Sequence, residues 1–334
     1  MSADLSVDSR VDTRLRRRLL AVALALPATS WAQSTPYPAR AIRLILTAPP
    51  GSSIDVLGRL IADRLKDRLG QPVIADNRPA AGGTVGTDAV AKAAPDGYTL
   101  GLSFTGPLAT APLLNDRLPY DPLRDLAPVI RVGSAPNILA VHAGLPAGTF
   151  AEFIALARRR PGQLNYASVG NGSASHLAME LLKAMAQLFI VHIPYNGAPP
   201  AVQAVAAGEV QAVMSNPTSL LPLIQAGRVR PLAVTGAQRW ATMPALPTIA
   251  ESGFPGFEAT AWNGVVAPAL TPNEIVERLN REIGAVLREP DVIARAGAAG
   301  WDLAPGSAAD FGRFLADERQ RWAPVVKRSG ARLD

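Results

Sequence analysis

The fold of this chain is decided by the stretch Val169-Gly170-Asn171-Gly172-Ser173-Ala174-Ser175-His176-Leu177. The stretch follows a strand-like run, 164–168, and opens a helix-like run in which apolar residues recur at helical spacing. Small residues between a strand and a helix leave backbone N–H groups uncovered at the positive end of the helix dipole. The sequence therefore predicts an anion-binding loop on a strand–loop–helix unit.

A second stretch, nearer the N-terminus, has the same construction. The strand-like run 42–47 leads into Ala48-Pro49-Pro50-Gly51-Ser52-Ser53-Ile54-Asp55, and an amphipathic helix-like run follows as far as Leu69. Two such units on one chain suggest two lobes that close on one small acidic ligand. We therefore predict a binding protein rather than an enzyme.

Strand-like and helix-like runs alternate along the whole chain, which predicts an α/β fold with mainly parallel strands. In the first lobe, strands are predicted at 42–47, 72–76 and 98–103, with helices at 54–69 and 84–93. In the second lobe, strands are predicted at 190–193, 210–214 and 231–235.

Two β-rich stretches, Val129 to His142 and Phe257 to Ala267, are predicted to cross between the lobes. These crossings set the predicted domain boundaries. Residues 33–134 and 258–334 are expected to form lobe 1, and residues 135–257 to form lobe 2.

Two segments have the pattern of a helix capping box, in which a Thr and a Glu three residues later satisfy backbone N–H groups at a helix start. They are Thr149-Phe150-Ala151-Glu152 and Thr271-Pro272-Asn273-Glu274. The second also carries Pro at the predicted first helical position.

The first 32 residues have the pattern of a cleaved signal peptide. Arginines at 14 and 16–18 precede a short apolar run, 19–27, and Ser30-Trp31-Ala32 fits a cleavage site. The apolar run is too short to span a bilayer. Arg17-Arg18 leaves the twin-arginine route open beside the general one. We predict an exported, periplasmic protein.

Composition excludes several classes of site. The chain has no Cys, so disulfides, thiolate metal sites and a lipid anchor on Cys are excluded. The net charge of +6 comes from scattered basic residues, and aromatic residues are few, so no nucleic-acid surface is predicted. The three histidines, His142, His176 and His192, lack the spacing of metal ligands on one helix face. We predict neither a metal nor a cofactor.

Some residues allow more than one interpretation. The spacing Gly170-x-Gly172-x-x-Ser175 resembles a degraded dinucleotide fingerprint, but 189–195 lacks the acidic partner expected there. Anion capture, a structural turn and dinucleotide binding are thus three interpretations of this loop. Asp55 is either a charge that complements the helix dipole or an acceptor for a ligand ammonium or hydroxyl group.

The histidines and serines of the Gly170 loop do not form a recognisable catalytic set. His176 could donate to a ligand carboxylate, whereas His192 has the surroundings of a core residue. The chain has no G-x-S-x-G motif, and the neighbours Ser173, Ser175 and His176 do not make a triad by adjacency. A secreted hydrolase using Ser173 or Asp55 would need a general base, and no such pair is evident.

Many ordered motifs together resemble the solute receptors of tripartite tricarboxylate transporters, the Bug (Bordetella uptake gene) family. The resemblance covers essentially the whole chain after the signal peptide. Its motifs are Tyr37-Pro38, Pro49-Pro50-Gly51 with Asp55, Asn77-Arg78-Pro79 with Gly82-Gly83, Ala94-Pro95-Asp96-Gly97-Tyr98-Thr99, Asn165-Tyr166-Ala167-Ser168, Gly170-Asn171-Gly172-Ser173, His176-Leu177, His192-Ile193-Pro194-Tyr195-Asn196-Gly197, Leu232-Ala233-Val234-Thr235, Pro247-Thr248-Ile249-Ala250-Glu251 and Trp262-Asn263-Gly264.

The resemblance implies a two-lobed periplasmic binding protein fold of the type II kind, with two crossovers and a ligand cleft between the lobes. It also implies a carboxylate held by backbone amides and bridging waters. The chain departs from the family pattern at Ala48, where an aromatic residue is usual, and at Ser52, where a second Gly is usual. Ser215-Asn216 stands where the family often has an acidic or aromatic residue.

We therefore predict a monomeric periplasmic receptor that binds a small carboxylate and delivers it to membrane permease subunits. An extracytoplasmic sensor that docks onto a signalling partner such as a sensor kinase is the alternative, and the sequence does not separate the two. The predicted ligand-binding residues are Pro50, Gly51, Ser52, Ser53, Asp55, Gly170, Asn171, Gly172, Ser173, Ser175 and His176.

Overall fold

The computed structural model describes residues 37–329. The predicted signal peptide, residues 1–32, lies outside this range. Within the described part of the chain, no helix combines the length and the apolar composition that a membrane crossing requires.

The described residues form strands and helices that alternate along much of the chain. The strands are β1 (Ile42–Leu46), β2 (Val73–Asn77), β3 (Thr99–Phe104), β4 (Leu126–Pro136), β5 (Ile138–His142), β6 (Asn165–Ser168), β7 (Val191–Pro194), β8 (Ala212–Ser215), β9 (Val229–Val234), β10 (Thr260–Pro268) and β11 (Asp302–Leu303).

The helices are α1 (Ser53–Leu69), α2 (Thr84–Ala91), α3 (Ala111–Leu114), α4 (Phe150–Arg159), α5 (Ala174–Ala186), α6 (Ala198–Ala207), α7 (Pro217–Gln225), α8 (Asn273–Val286), α9 (Pro290–Ala298) and α10 (Ala308–Ser329). A single 3₁₀ turn, Ala81–Gly83, precedes α2, and a π-helical segment, Gly106–Thr110, precedes α3.

The strands make two sheets, which confirms the predicted two-lobed α/β fold. One has the order β11-β4-β10-β3-β1-β2, and the other β7-β6-β8-β5-β9. The pairs β1–β2, β1–β3, β6–β7 and β6–β8 are parallel. The pairs made by β4, β5, β10 and β11 are antiparallel.

The prediction of mainly parallel strands was therefore wrong. A strand–helix–strand connection imposes a parallel direction on the strands it joins. Strands β4, β5 and β10 are not reached in that way, because they belong to the segments that cross between the sheets.

The predicted strands and helices of the first sheet correspond to β1, β2, β3, α1 and α2, with ends that differ by two residues or fewer. Helix α1 shows why. Its N-cap Ser52 accepts a hydrogen bond from the Asp55 N–H, and its C-cap Gly70 has a left-handed φ of 68° that ends the helix. The prediction missed α3, α7, α9, β11 and the π-helical segment.

One predicted capping box is confirmed and the other is wrong. The Thr149 side chain accepts from the Glu152 N–H, and the Glu152 carboxylate accepts from the Thr149 N–H. Thr271 instead donates to the Pro268 carbonyl at 2.7 Å. Helix α8 begins at Asn273 with Pro272 as its N-cap, so Thr271 lies one position too early to cap it.

The two crossing segments are tied together by Thr235, which follows β9. The Asn137 N–H, between β4 and β5, donates to Thr235 Oγ1 at 2.8 Å. Thr235 Oγ1 donates in turn to the Ala259 carbonyl, just before β10, at 2.6 Å. This buried hydroxyl thus links both crossings at the place where the chain passes from one sheet to the other.

The last helix, α10, packs on both halves of the molecule. Phe311 and Leu315 belong to a core cluster that includes Ile45 of β1. Trp322 and Val326 belong to a different cluster, which is built mainly around the second sheet. The predicted lobe boundaries at 134/135 and 257/258 remain a prediction, and α10 bridges the two cores.

Candidate functional site

A cleft lies between the two sheets, at the carboxyl ends of several parallel strands. Its cavity volume is about 60 Å³, which is suited to a small molecule rather than a polymer. None of its lining residues is charged. They are Thr47, Ala48, Pro49, Ser52, Ser53, Ile54, Pro79, Gly82, Gly83, Phe104, Thr105, Asn137, Val169, Ala174, Ser175, Gly197, Ala198, Asn216, Ala261, Trp262, Asn263 and Trp301.

Helix N-termini from both sheets point their first residues at this cleft. The lining residues at helix starts are Ser52 and Ser53 of α1, Gly83 before α2, Ala174 and Ser175 of α5, Gly197 and Ala198 of α6, and Asn216 before α7. Each such end carries a partial positive charge and N–H groups without an intrahelical partner. The cleft therefore favours an anion although no Lys or Arg lines it.

The floor of the cleft carries polar side-chain atoms that are buried and have no hydrogen-bond partner. They are Thr105 Oγ1, Asn137 Nδ2 and Asn263 Nδ2. Asn216 Oδ1, at the start of α7, is a fourth such atom among the lining residues. Asn137 and Asn263 are only 2% and 1% exposed. Because an unpaired buried polar group is costly, these atoms are most simply explained as partners for a ligand.

The crossing segments place the two floor asparagines. Asn137 occupies the break between β4 and β5. Asn263 pairs with Phe104 of β3, and the register of β10 against β4 shifts between Asn263 and Gly264. A bulge of this kind re-aims side chains, which explains why Ala261, Trp262 and Asn263 all line one cleft.

The remaining wall is apolar and partly aromatic. Phe104, Val169, Trp262 and Trp301 contribute most of its large side chains. Ligand sites of this composition use a few polar groups to orient the ligand and apolar walls to bury its body. The cleft therefore fits an organic anion rather than an inorganic one.

The structure brings three of the sequence-predicted residues into this cleft, namely Ser52, Ser53 and Ser175. Asn216 Nδ2 reaches across from the second sheet to Ser53 Oγ at 3.4 Å. Pro50, Gly51 and Asp55 are not among the lining residues: Pro50 and Gly51 are exposed to solvent outside the cleft, and Asp55 is buried behind the loop.

Asp55 is occupied by protein groups. Its Oδ2 accepts from the Gly51 N–H at 3.0 Å, and its Oδ1 accepts from Arg59 at 2.8 Å and from Asn77 at 3.0 Å. Burial raises the pKa of this carboxyl, but the hydrogen bonds from Arg59, Gly51 and Asn77 outweigh it and leave the pKa below its usual range. Of the two interpretations, the geometry favours a structural charge that shapes the loop.

The Gly170 loop has two different environments. Gly170 and Asn171 line a second cavity of about 320 Å³, together with Tyr195, Asn196 and the start of the 3₁₀ turn, Ala81 and Gly82. Gly172 and Ser173 are held by the protein. The Gly172 carbonyl accepts from Thr110 Oγ1, and Ser173 is the N-cap of α5, whose Oγ donates to the Gly170 carbonyl at 2.7 Å.

His176 supports this loop from below. Its Nδ1 accepts a hydrogen bond from the Gly172 N–H at 3.0 Å, and the ring is 4% exposed. It stacks on His192 at 4.0 Å between ring centroids, and His192 stacks on Tyr166 at 4.8 Å. His176 was predicted as a donor to the ligand, but it does not line the cleft, and Nε2, the nitrogen left to donate, lies 4.0 Å from Glu180 Oε1 in the protein interior.

The stacked rings adjoin a buried ion pair on α5. The Tyr166 hydroxyl donates to Glu180 at 2.6 Å, and Lys183 pairs with the same oxygen at 2.6 Å. Burial lowers the pKa of His176 to about 4, with a contribution from the Lys183 ammonium. Burial and the neighbouring His176 lower the pKa of His192 to about 3.

We expect stability to fall as the pH drops below neutrality. A folded-state pKa below the unfolded value gives stability that is present above pH 6.5 and is lost as the pH falls towards the folded value. For His176 alone, the loss between pH 7 and pH 5 is about 2 kcal/mol. Urea unfolding at pH 7, 6 and 5 measures it.

The matched variant is His176→Asn, whose amide oxygen can still accept from the Gly172 N–H but does not titrate. It should flatten the pH dependence relative to the parent protein. His142→Asn is the control, because His142 Nδ1 also accepts a backbone N–H, from Gly144 at 3.2 Å. Equal slopes in the parent and in His176→Asn would contradict the assignment.

The residues predicted from the sequence do not include four polar residues that line the cleft with unpaired buried atoms: Thr105, Asn137, Asn216 and Asn263. Asn137 and Asn263 did leave a signal, since each is a polar residue inside a β-rich crossing. Their unpaired state depends on the paths of β4, β5 and β10, which the sequence alone did not supply. The described residues contain no group of three His, Cys, Asp or Glu side chains able to hold a metal ion.

The sequence of this chain is similar to those of known solute receptors. The family model described as "Tripartite tricarboxylate transporter family receptor" matches residues 57–331. Protein BugT of Bordetella pertussis is 42% identical over 298 residues, which cover 89% of this chain and 91% of that protein.

Solved structures show the same architecture. The structure described as R. palustris Rpa4515 with adipate has a TM-score of 0.85 and 39% identity, covering 88% of this chain and 98% of that one. MatC (Rpa3494) from Rhodopseudomonas palustris with bound malate has a TM-score of 0.83 and 30% identity, covering 87% of this chain and 100% of that one. The periplasmic binding protein BugD has a TM-score of 0.84 and 30% identity, covering 89% of this chain and 99% of that one.

Proposed function

The chain belongs to the tripartite tricarboxylate transporter receptor family, and from that premise we propose that it binds a small carboxylate between its two sheets. The family and its solved relatives identify a periplasmic solute-binding receptor rather than an enzyme. The bound acid would then be delivered to the permease subunits of a transporter of this family. Export through the signal peptide at residues 1–32 is part of the same proposal.

One observation carries the choice of a carboxylate. Helix N-termini from both sheets converge on a cleft without charged side chains, where the buried donors Thr105, Asn137 and Asn263 lack partners. A carboxylate would satisfy such donors by charge-assisted hydrogen bonds. Two of the similar structures contain adipate and malate, which supports the same class of ligand.

Closure would follow from contacts that exist on both sides of the ligand. Ser52 and Ser53 come from the first sheet's loops, and Ser175 and Asn216 from the second's, so one ligand can bind both sides at once. A ligand shifts a hinge equilibrium only through contacts that differ between the open and closed states. Contacts from both sheets to one ligand differ in this way, because they can all form only when the two sides are close together.

The test is a ligand screen on the mature protein. Native mass spectrometry would first identify any acid retained during purification. Thermal shift and calorimetry would then compare adipate, malate and citrate with adipamide, which keeps the length of adipate but has no charge. At a ligand concentration of 100 Kd, the stabilisation should be about 2.7 kcal/mol.

The screen separates a carboxylate receptor from other binding proteins. We expect at least one acid to stabilise the protein and adipamide to have no effect. Equal stabilisation by adipamide would mean that charge is not recognised. A screen without any binding acid would contradict the proposal.

A further inference from the structure

The aromatic wall of the cleft is held from behind by the C-terminal helix. Trp262 of β10 lines the cleft and is 2% exposed. The rings of Phe311 and Phe314 meet its indole edge-on, at centroid distances of 6.1 Å and 5.1 Å. Both phenylalanines belong to α10, so this helix fixes two sides of the Trp262 ring.

Glu318 supplies a third contact from the same helix. Its Oε2 accepts the Trp262 indole N–H at 2.7 Å, and the residue is 4% exposed. Residues 311, 314 and 318 share one face of a helix, because positions three and four apart are neighbours on its surface. One face of α10 thus contacts the Trp262 indole at its ring and at its nitrogen.

The Glu318 carboxylate also accepts hydrogen bonds from two residues further along α10. Oε2 accepts the Trp322 indole N–H at 3.0 Å, and Oε1 accepts from Arg321 at 3.2 Å. Trp322 packs in the core around the second sheet, whereas Trp262 is on the first. A single buried carboxylate therefore lies between the two cores and next to the cleft wall.

We propose that Glu318 is a positioning residue that sets the orientation of Trp262 and thereby the affinity of the cleft for the apolar body of its ligand. Glu318 is not among the residues that line the cleft, so it acts through the indole. The effect on ligand affinity rests on the proposed function. The effect on the orientation of Trp262 does not, and it can be tested without any ligand.

The ligand-free test observes the indole N–H resonances in a proton–nitrogen correlation spectrum, with the Trp262 signal assigned by its loss in Trp262→Phe. Glu318→Leu removes the acceptor from both indoles, and the Trp262 resonance should move and exchange faster with solvent. Glu318→Gln keeps an acceptor oxygen within reach and should largely restore the signal. An unchanged Trp262 resonance in Glu318→Leu would overturn the proposal.

The ligand test uses adipate, or whichever acid of the screen the parent protein binds most tightly. Because the indole would no longer be held in one orientation, binding should weaken by about tenfold in Glu318→Leu, the equivalent of one net hydrogen bond. Glu318→Gln should recover most of the affinity. A moved resonance with unchanged affinity would refute the role in binding.

Trp322→Phe is the matched control, because it removes the other indole donor from the same oxygen and leaves the Trp262 hydrogen bond in place. It should lower stability but leave the Trp262 resonance and the affinity close to parental. If Glu318→Leu fails to fold, Glu318→Gln is compared with the parent: its uncharged amide is the weaker acceptor, so the Trp262 resonance should still shift slightly, and a resonance identical to the parental one would overturn the proposal. If the parent binds no acid, the proposed function fails, and the resonance comparison still tests the positioning of Trp262.

Discussion

Asn263→Asp is expected to weaken carboxylate binding by at least about 100-fold, since a like charge placed against the ligand costs several kcal/mol. Asn263 Nδ2 is a buried donor without a partner on the floor of the cleft. The substitution keeps the shape of the side chain and replaces this donor by an acceptor with negative charge. Calorimetry with adipate, or with the acid selected by the screen, measures the loss.

The fold should tolerate this change. The helix N-termini that favour a ligand anion also stabilise an introduced carboxylate. Asn115→Asp is the matched control, because it makes the same change outside the cleft, where Asn115 Oδ1 accepts from the Arg117 N–H at 2.8 Å. Parental affinity in Asn263→Asp, with parental stability, would remove Asn263 from the site.

Gly264→Ala should lower the free energy of unfolding by about 3 kcal/mol, at the upper end of the usual cost of overpacking a core. A Cβ at this position would lie 2.0 Å from Phe311 Cζ. Phe311 is 1% exposed and is enclosed by its core cluster, so its ring has little room to withdraw. Urea unfolding measures the change.

Gly297→Ala is the matched control, because a Cβ there meets nothing within 4 Å. It should be neutral or slightly stabilising, since Ala has the higher helix propensity. The double variant Gly264→Ala/Phe311→Leu should be less unstable than the sum of its single variants, because the smaller side chain relieves the clash. Strict additivity would place the cost of Gly264→Ala elsewhere.

Gly264 connects the two predictions above. It directly follows Asn263, and it faces α10, the helix that contacts Trp262. Without a side chain at Gly264, α10 can approach β10 closely, which brings Phe311, Phe314 and Glu318 within reach of Trp262. Packing behind the cleft and recognition inside it therefore depend on the same few residues of β10.

The sequence predicted the local structure well where the signal is local. The Thr149 capping box acts within a few residues, so spacing alone identifies it, and the hydrophobic spacing of α1 correctly predicted the end of that helix at Leu69. The box predicted at Thr271 was wrong because the helix begins at Asn273 with Pro272 as its N-cap, one position later than the box requires.

The candidate site was predicted in part. Ser52, Ser53 and Ser175 were found because a helix start next to a strand can be recognised from composition. Asp55 and His176 were also chosen, and the structure shows both engaged by protein groups. A side chain's availability depends on its neighbours in space, and its neighbours in sequence do not reveal them.

By itself, the sequence determined the α/β class, two strand–loop–helix units and the family of this protein, and it predicted export. These depend on hydrophobic periodicity, on short-range capping and on ordered motifs, all of which are properties of neighbouring residues. Only the tertiary structure decided the antiparallel crossings, the unpaired donors of Asn137 and Asn263, and the contact of Glu318 with Trp262. Those features arise where segments more than fifty residues apart in the chain meet, and burial there determines which polar groups keep a partner.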